Sequence, residues 1–274
     1  MNNESENPTL VAEVRDIWNR NAGFWNQAMG EGNRFHRLLV EPIMENLLAV
    51  CRDQHILDLA CGQGYFSKRL VELGATVLAT DISRGMLDLA EQRLQGHEHR
   101  IRLAVVDATD REKLAELAQS GPFDAIVANM ALMDIPYLEP MAEVLPTLLR
   151  PAAPFVISVL HPCFNMNLGC RLGAEEEDRN GIITVERYVR ISRYITPYAV
   201  KYTGIIGQPE PHYYFHRPLS ELLRPFLSNG WMLDGFQESV FTSADPKSRF
   251  FSWEHYQEIP PVLVLRLLHA GKSG

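Results

Sequence analysis

The chain lacks what would carry it across a bilayer or onto a polyanion. No apolar run in its 274 residues approaches the roughly 18 that a transmembrane helix needs. Basic residues are outnumbered, 26 Lys and Arg against 34 Asp and Glu, for a net charge of −8. A nucleic-acid partner, whose phosphates call for a basic stripe, is therefore not expected. The opening MNNESENPTL is polar and acidic and has no secretory signal pattern. The four cysteines (Cys51, Cys61, Cys163, Cys170) show no CxxC spacing, so they read as reduced thiols of a cytoplasmic protein, with no metal site expected. There is no internal repeat and no Gly/Ser-rich or low-complexity run. What remains is ordinary globular material, 46% hydrophobic and 22% charged, enough for one large domain or a domain with a cap.

Three regions follow from the patterning. Residues 1–50 are expected to form an N-terminal helical lid. Val11, Val14, Ile17, Trp18 and Ala22 recur at helical spacing; Gly30-Glu31-Gly32-Asn33 breaks the run; a second helix through Leu48 would bend at Pro42. From residue 51 to 160 strands and helices alternate, the mark of a parallel sheet covered on both faces. Expected strands are 56–60, 76–80, 101–106, 123–128 and 155–160, with Ser83 capping the helix after the second. Between 161 and 215 the rhythm stops, and an inserted cap is expected. Its tyrosines from Tyr188 to Tyr202 read as the surface of a hairpin, and Glu175–Asp178 as a solvated loop. Order resumes over 216–274, with a helix from Pro218 and two last strands, 231–238 and 262–268.

The chemistry gathers at the strand ends. Ile56-Leu57-Asp58-Leu59-Ala60-Cys61-Gly62-Gln63-Gly64 is a buried strand that stops at a glycine turn and feeds a helix, which leaves a nucleotide-sized hole. Asp58, inside the strand, needs a cation or donors. Asp81, Asp107, Asn129 and His161 stand just past four successive strands, so they should line one crevice. Asp81 lies nineteen residues after Gly62, where an acid reaches ribose hydroxyls.

Together these motifs resemble a class I S-adenosylmethionine-dependent methyltransferase of small molecules, over 56–160 motif by motif and 216–268 more loosely. The resemblance implies a doubly wound, Rossmann-like α/β fold. Its seven-stranded sheet would be mostly parallel, with 262–268 as the reversed last strand. It also implies S-adenosylmethionine as cofactor and S-adenosylhomocysteine as product. Ala60, Gly62 and Gly64 would cradle the methionine end, and Asp58 would help hold its amino group. Asp81 would take the ribose, Ile82 the adenine face, Asp107 and Ala108 the adenine edge; Met86, one turn into the second helix, reads as core that can also touch adenine. Asn129 would line the methyl-donating end. Trp25 would be a lid over the cofactor, or simply core. Ala60-Cys61 replaces the commoner Gly-Cys pair, and the extra methyl should be tolerated.

For proton chemistry His161 is the leading candidate, since it follows a strand on the active edge and Pro162 holds it extended. The other reading is a histidine bonded to the cap backbone. Tyr214 and His216, with His212 and Tyr213, lie where the cap rejoins the core; at most one or two of them should face a small-molecule substrate, and each taken alone reads better as packing. Two rivals share the glycine turn. A nicotinamide dehydrogenase would need its third glycine at Ser67 and would leave Asp107 and Asn129 idle. A non-catalytic cofactor-binding module would leave the cap without a purpose.

Overall fold

The computed structural model describes residues 7–270. The first six residues of the expected lid and the last four of the expected core lie outside the described residues. The chain opens with α1 (Pro8–Met29), where Pro8 stands in the first turn and the Asn7 side chain accepts the N–H of Thr9. The bend expected at Pro42 is a π-helical turn, His36–Val40, followed by α2 (Glu41–Leu48). A proline has no N–H for the carbonyl four residues back and clashes with it, so the preceding turn widens.

The βα alternation then runs as read: β1 (His55–Leu59), α3 (Tyr65–Glu72), β2 (Thr76–Asp81), α4 (Arg84–Arg93), β3 (Ile101–Val105), α5 (Arg111–Glu116), β4 (Ala125–Asn129), α6 (Glu139–Val144) and β5 (Pro154–Leu160). Ser83 does cap α4, taking the N–H of Met86 at 3.1 Å. The cap segment is two hairpins, β6 (Cys170–Arg179) with β7 (Ile182–Ile191), and β8 (Tyr198–Tyr202) with β9 (His212–His216). Glu175–Asp178 is therefore a strand, solvated but not a loop. It is paired to β7 through a turn at Asn180-Gly181, both at positive φ (59° and 80°), the combination a tight hairpin needs. The expected boundary at 215/216 falls inside β9, because His216 pairs with Tyr198. The core resumes at α7 (Leu219–Ser228), β10 (Trp231–Ser239) and β11 (Val262–His269).

The sheet has seven strands in the order β10-β11-β5-β4-β1-β2-β3. β11 runs antiparallel to both neighbours and the β1–β5 pairs are parallel, so the reversed last strand stands where it was expected. Alternate residues of β1 serve opposite faces. Leu57 and Leu59 pack with α5, α6 and α7, around Leu114, Met141 and Phe226. Ile56 packs with α2, α3 and α4, around Met44, Leu70 and Ala90. Each such fully buried side chain contributes roughly 1.5–3 kcal/mol, which fixes the register of β1 and hence the place of Asp58. Among the described residues, no helix is long and apolar enough to cross a membrane.

Candidate active site

One cavity of about 430 Å³ opens beyond the carboxyl ends of β1, β2, β3 and β4. Its floor is the glycine turn. Ala60, Gly62 and Gly64 all have positive φ (56°, 57° and 75°). At Gly64 an added Cβ would stand 3.0 Å from Ala90 Cβ, so packing of the turn on α4 demands glycine. At Gly62 a Cβ would meet nothing within 4 Å, so the space over it belongs to the cavity. Ala60 tolerates its methyl as expected, but in a left-handed conformation that costs roughly 1 kcal/mol or more. Such strain is characteristic of a site.

Two buried acids frame the turn. Asp58 Oδ2 accepts the Ser67 hydroxyl at 2.5 Å, while Oδ1 has no partner. Burial, against the Ser67 bond and with the nearby Asp81 charge adding to it, pushes the Asp58 carboxyl up to about 7. Asp81 accepts two backbone N–H groups, Gly62 at 2.9 Å and Ser83 at 2.8 Å. Burial still raises its carboxyl to about 6. An unpartnered, buried carboxylate oxygen beside open space calls for a cation or a donor from a ligand. Asp107 takes the N–H and hydroxyl of Thr109 on one oxygen, at 2.8 and 2.7 Å. Asn129 Oδ1 accepts the Ser158 hydroxyl at 2.7 Å, which fixes the amide at the end of β4. Ile82, Met86 and Ala108 line the same cavity.

The lid is tied down over this floor. Asn19 Oδ1 accepts the N–H of Gly85 at 3.0 Å and the Ser83 hydroxyl at 2.8 Å, so α1 helps cap α4. Arg93 donates to Asn26 Oδ1, Gly30 O, Glu31 Oε1 and Gln63 O. One guanidinium thus joins the end of α1 to the glycine turn. Trp18 and Trp25 meet edge to face at 5.4 Å and both reach the cavity. The Trp25 Nε1–H is buried without an acceptor.

The opposite wall comes from the cap, and here the proton candidates change. His161 does not reach the cavity. Its Nε2 faces Glu238 Oε1 at 2.8 Å and its Nδ1 accepts the Cys163 N–H at 3.1 Å, so both ring nitrogens are committed. His216 stacks on Tyr198 at 4.7 Å and bonds Tyr194 O at 2.7 Å, also outside the cavity. Tyr214 is buried behind it, with its hydroxyl toward Asn165 O. The register of β9 decides this. His212 and Tyr214 share a face with His216, but only the end at His212 reaches the cavity, beside Tyr202 of β8. Tyr202 is thus a wall residue, not hairpin surface. His212 packs among Trp18 (4.8 Å), Trp25 (5.6 Å) and Tyr202 (4.6 Å). Burial lowers it to about 4, so its imidazole is neutral.

Facing it is a residue that pattern reading passed over. Asp134 lies in the turn after β4, with its Oδ1 3.9 Å from His212 Nε2. Burial, with Asp81 adding to it, raises its carboxyl well above the ordinary value. The one signal in the sequence was position: an acid five residues beyond Asn129, past the active edge.

Comparison with known proteins agrees with this geometry. Residues 56–152 match the family described as methyltransferase domain. A ubiquinone biosynthesis O-methyltransferase of Coxiella burnetii is 27% identical over 155 residues, 56% of this chain. The match spans 63% of that relative's length. An S-adenosylmethionine-dependent methyltransferase from Mesorhizobium loti superposes with a TM-score of 0.64 at 23% identity, over 83% of this chain and 96% of that one. A similar protein from Listeria monocytogenes gives 0.58 at 18% identity, over 84% and 96%. The chain shares the fold of these S-adenosylmethionine-dependent methyltransferase structures, and its residues 56–152 match the methyltransferase-domain family.

Proposed function

We propose that the protein transfers the methyl group of S-adenosylmethionine to a small-molecule acceptor enclosed by lid and cap. The observation that carries this is the unpartnered Asp58 Oδ1, buried beside a glycine turn whose open side faces the cavity. Such an oxygen suits an α-amino group. Asp81 would take the ribose, and Asp107 with Ile82, Met86 and Ala108 the adenine. Gly62 and Gly64 would leave room for the methionine portion. When bound, the cofactor supplies an electrophilic methyl carbon on a sulfonium.

The chain's own contribution is enclosure and alignment. Holding a nucleophile about 3–3.5 Å from its target is worth roughly 7–11 kcal/mol, more than the roughly 3–5 kcal/mol of a general base. The residues 7–50 that form the lid, and the hairpin β8–β9, close the cavity from two sides and would exclude water. The cavity of about 430 Å³ would be shared between the cofactor on its floor and an acceptor against the cap. The four cysteines are unpaired, which fits a reducing cytoplasmic setting. Neither rival gains support: Ser67 stands where the dinucleotide-binding turn has its third glycine, and an inert module needs no walled acceptor space.

Calorimetry with S-adenosylmethionine and with NAD tests the cofactor. Binding of the first at micromolar concentration is expected, and binding of NAD alone overturns the reading. Formation of S-adenosylhomocysteine with any acceptor removes the inert module.

A further inference from the structure

The acceptor chamber has a chemical character of its own. Among the described residues no Lys or Arg lines the cavity, while four aspartates do: Asp58, Asp81, Asp107 and Asp134. The first three belong to the floor. Asp134 does not: it faces the cap, and among the described residues no hydrogen bond reaches its carboxylate. Its loop is nevertheless held firmly. Arg217 donates to the carbonyls of Leu132 (3.1 Å), Ile135 (2.8 Å) and Pro136 (2.7 Å), so the guanidinium braces the backbone around Asp134.

His212 is oriented just as firmly. Gln208 Oε1 accepts the Gly204 N–H at 3.1 Å, which turns the amide nitrogen toward Glu210 O and His212 Nδ1. An N–H donated to Nδ1 makes that nitrogen the acceptor, so a neutral His212 carries its proton on Nε2. That nitrogen lies 3.9 Å from Asp134 Oδ1, too far for a hydrogen bond between them. A single ligand atom that both donates and accepts would bridge the gap. One more donor stands unpartnered and buried on the same wall, Trp25 Nε1, and it asks for a ligand oxygen.

We infer that Asp134 is the general base of the reaction and that the acceptor is an uncharged aromatic hydroxyl compound, its hydroxyl held between Asp134 and the Nε2–H of His212. This rests on the methyltransferase reading above. The hydroxyl oxygen forms its bond to the methyl carbon as the carbon–sulfur bond breaks. That electron pair stays on sulfur, and the hydroxyl proton passes to Asp134. A sulfonium and a carboxylate become a neutral thioether and a neutral acid, so the step cancels opposite charges in a dry site. Burial keeps Asp134 a stronger base than an exposed aspartate. The wall of Trp18, Trp25, Tyr202 and His212 offers a planar ring its contact surface. An anionic acceptor would meet the Asp134 carboxylate and no Lys or Arg among the described residues that line the cavity. Gln208 is a positioning residue, since it acts through the tautomer of His212.

The experiment uses catechol as the probe, with the full chain saturated with S-adenosylhomocysteine. Binding is read by quenching of tryptophan fluorescence. Catechol is expected to bind, and benzoate and phenyl phosphate to bind at least tenfold more weakly. Asp134→Asn should weaken catechol at least fivefold while cofactor affinity stays within twofold. With S-adenosylmethionine, the same variant should lower turnover of catechol at least a hundredfold and remove the acidic limb of the pH–rate profile; Asp134→Glu should keep the limb. The groups that face Asp134 and shape that limb are His212, Tyr202, Tyr214 and Asp81. No catechol binding, equal binding of benzoate, or turnover of Asp134→Asn within threefold overturns the inference. Failure of the chain to bind S-adenosylmethionine is a separate result, and it overturns the proposed function itself.

Discussion

Asp81 Oδ2 accepts the backbone N–H of Gly62 at 2.9 Å, which ties the end of β2 to the turn that follows β1. The same carboxylate caps the entry to α4 through the Ser83 N–H at 2.8 Å. One acid therefore shapes the cradle and stays free to meet what the cradle holds.

Asp81→Ala strips two backbone donors of their partner, at about 1–3 kcal/mol each where the donor stays buried. The expected result is a lower melting temperature and at least tenfold weaker S-adenosylmethionine binding, measured by calorimetry on folded protein. Unchanged affinity would remove Asp81 from the site.

Asp58 predicts a pH effect. Its carboxyl lies near 7 in the fold against 3.8 in an unfolded chain, so the fold favours the protonated form. The stability this gives is complete below about pH 3.8 and is lost as pH rises through about 7. Without ligand, Asp58→Asn should therefore gain on the wild type in thermal melts between pH 4.5 and pH 8. At pH 8 it should be the more stable protein. Saturating S-adenosylmethionine should close that gap, because an ammonium group favours the ionised form. A gap that does not change with pH contradicts the assignment.

Arg93 is a clamp that can be removed. Its side chain is 7% exposed and bonds Asn26, Gly30 and Glu31 on one side and Gln63 on the other. Arg93→Ala should speed cofactor release about tenfold and raise hydrogen exchange over the last turns of α1, read by mass spectrometry. Arg93→Lys should rescue little, since one ammonium cannot span that fork. Unaltered exchange in α1 would show that the lid is held by other contacts.

His161→Ala separates packing from chemistry. The change leaves the half-buried Cys163 N–H without its acceptor and removes the Glu238 contact, at about 1–3 kcal/mol. Turnover per folded molecule should stay within twofold of wild type. A loss of a hundredfold or more at full folding would restore His161 to the reaction.

Much of this was legible along the chain because it is local. A buried strand ending in Gly62-x-Gly64, and acids at the ends of the next two strands, state their own geometry: strand ends in a parallel sheet share an edge. Side-chain period fixed which face Asp58 takes. Ser83 as a cap followed from a similarly local signal, whereas 262–268 as the reversed strand came from the family resemblance. The acceptor side was not legible, because it depends on how distant segments meet. His161 is next to the active edge in sequence, yet the antiparallel β11 brings Glu238 of β10 near enough to claim its ring. His212 and His216 are four residues apart on one face of β9, and only the angle of the hairpin decides which one meets the cavity. Asp134 gains its character from burial under β8 and β9, which no spacing announces. Sequence determined the glycine-turn floor of the cavity, whose contacts run between neighbouring strands; tertiary packing of α1, the hairpin β8–β9 and the loop after β4 decided what stands opposite it.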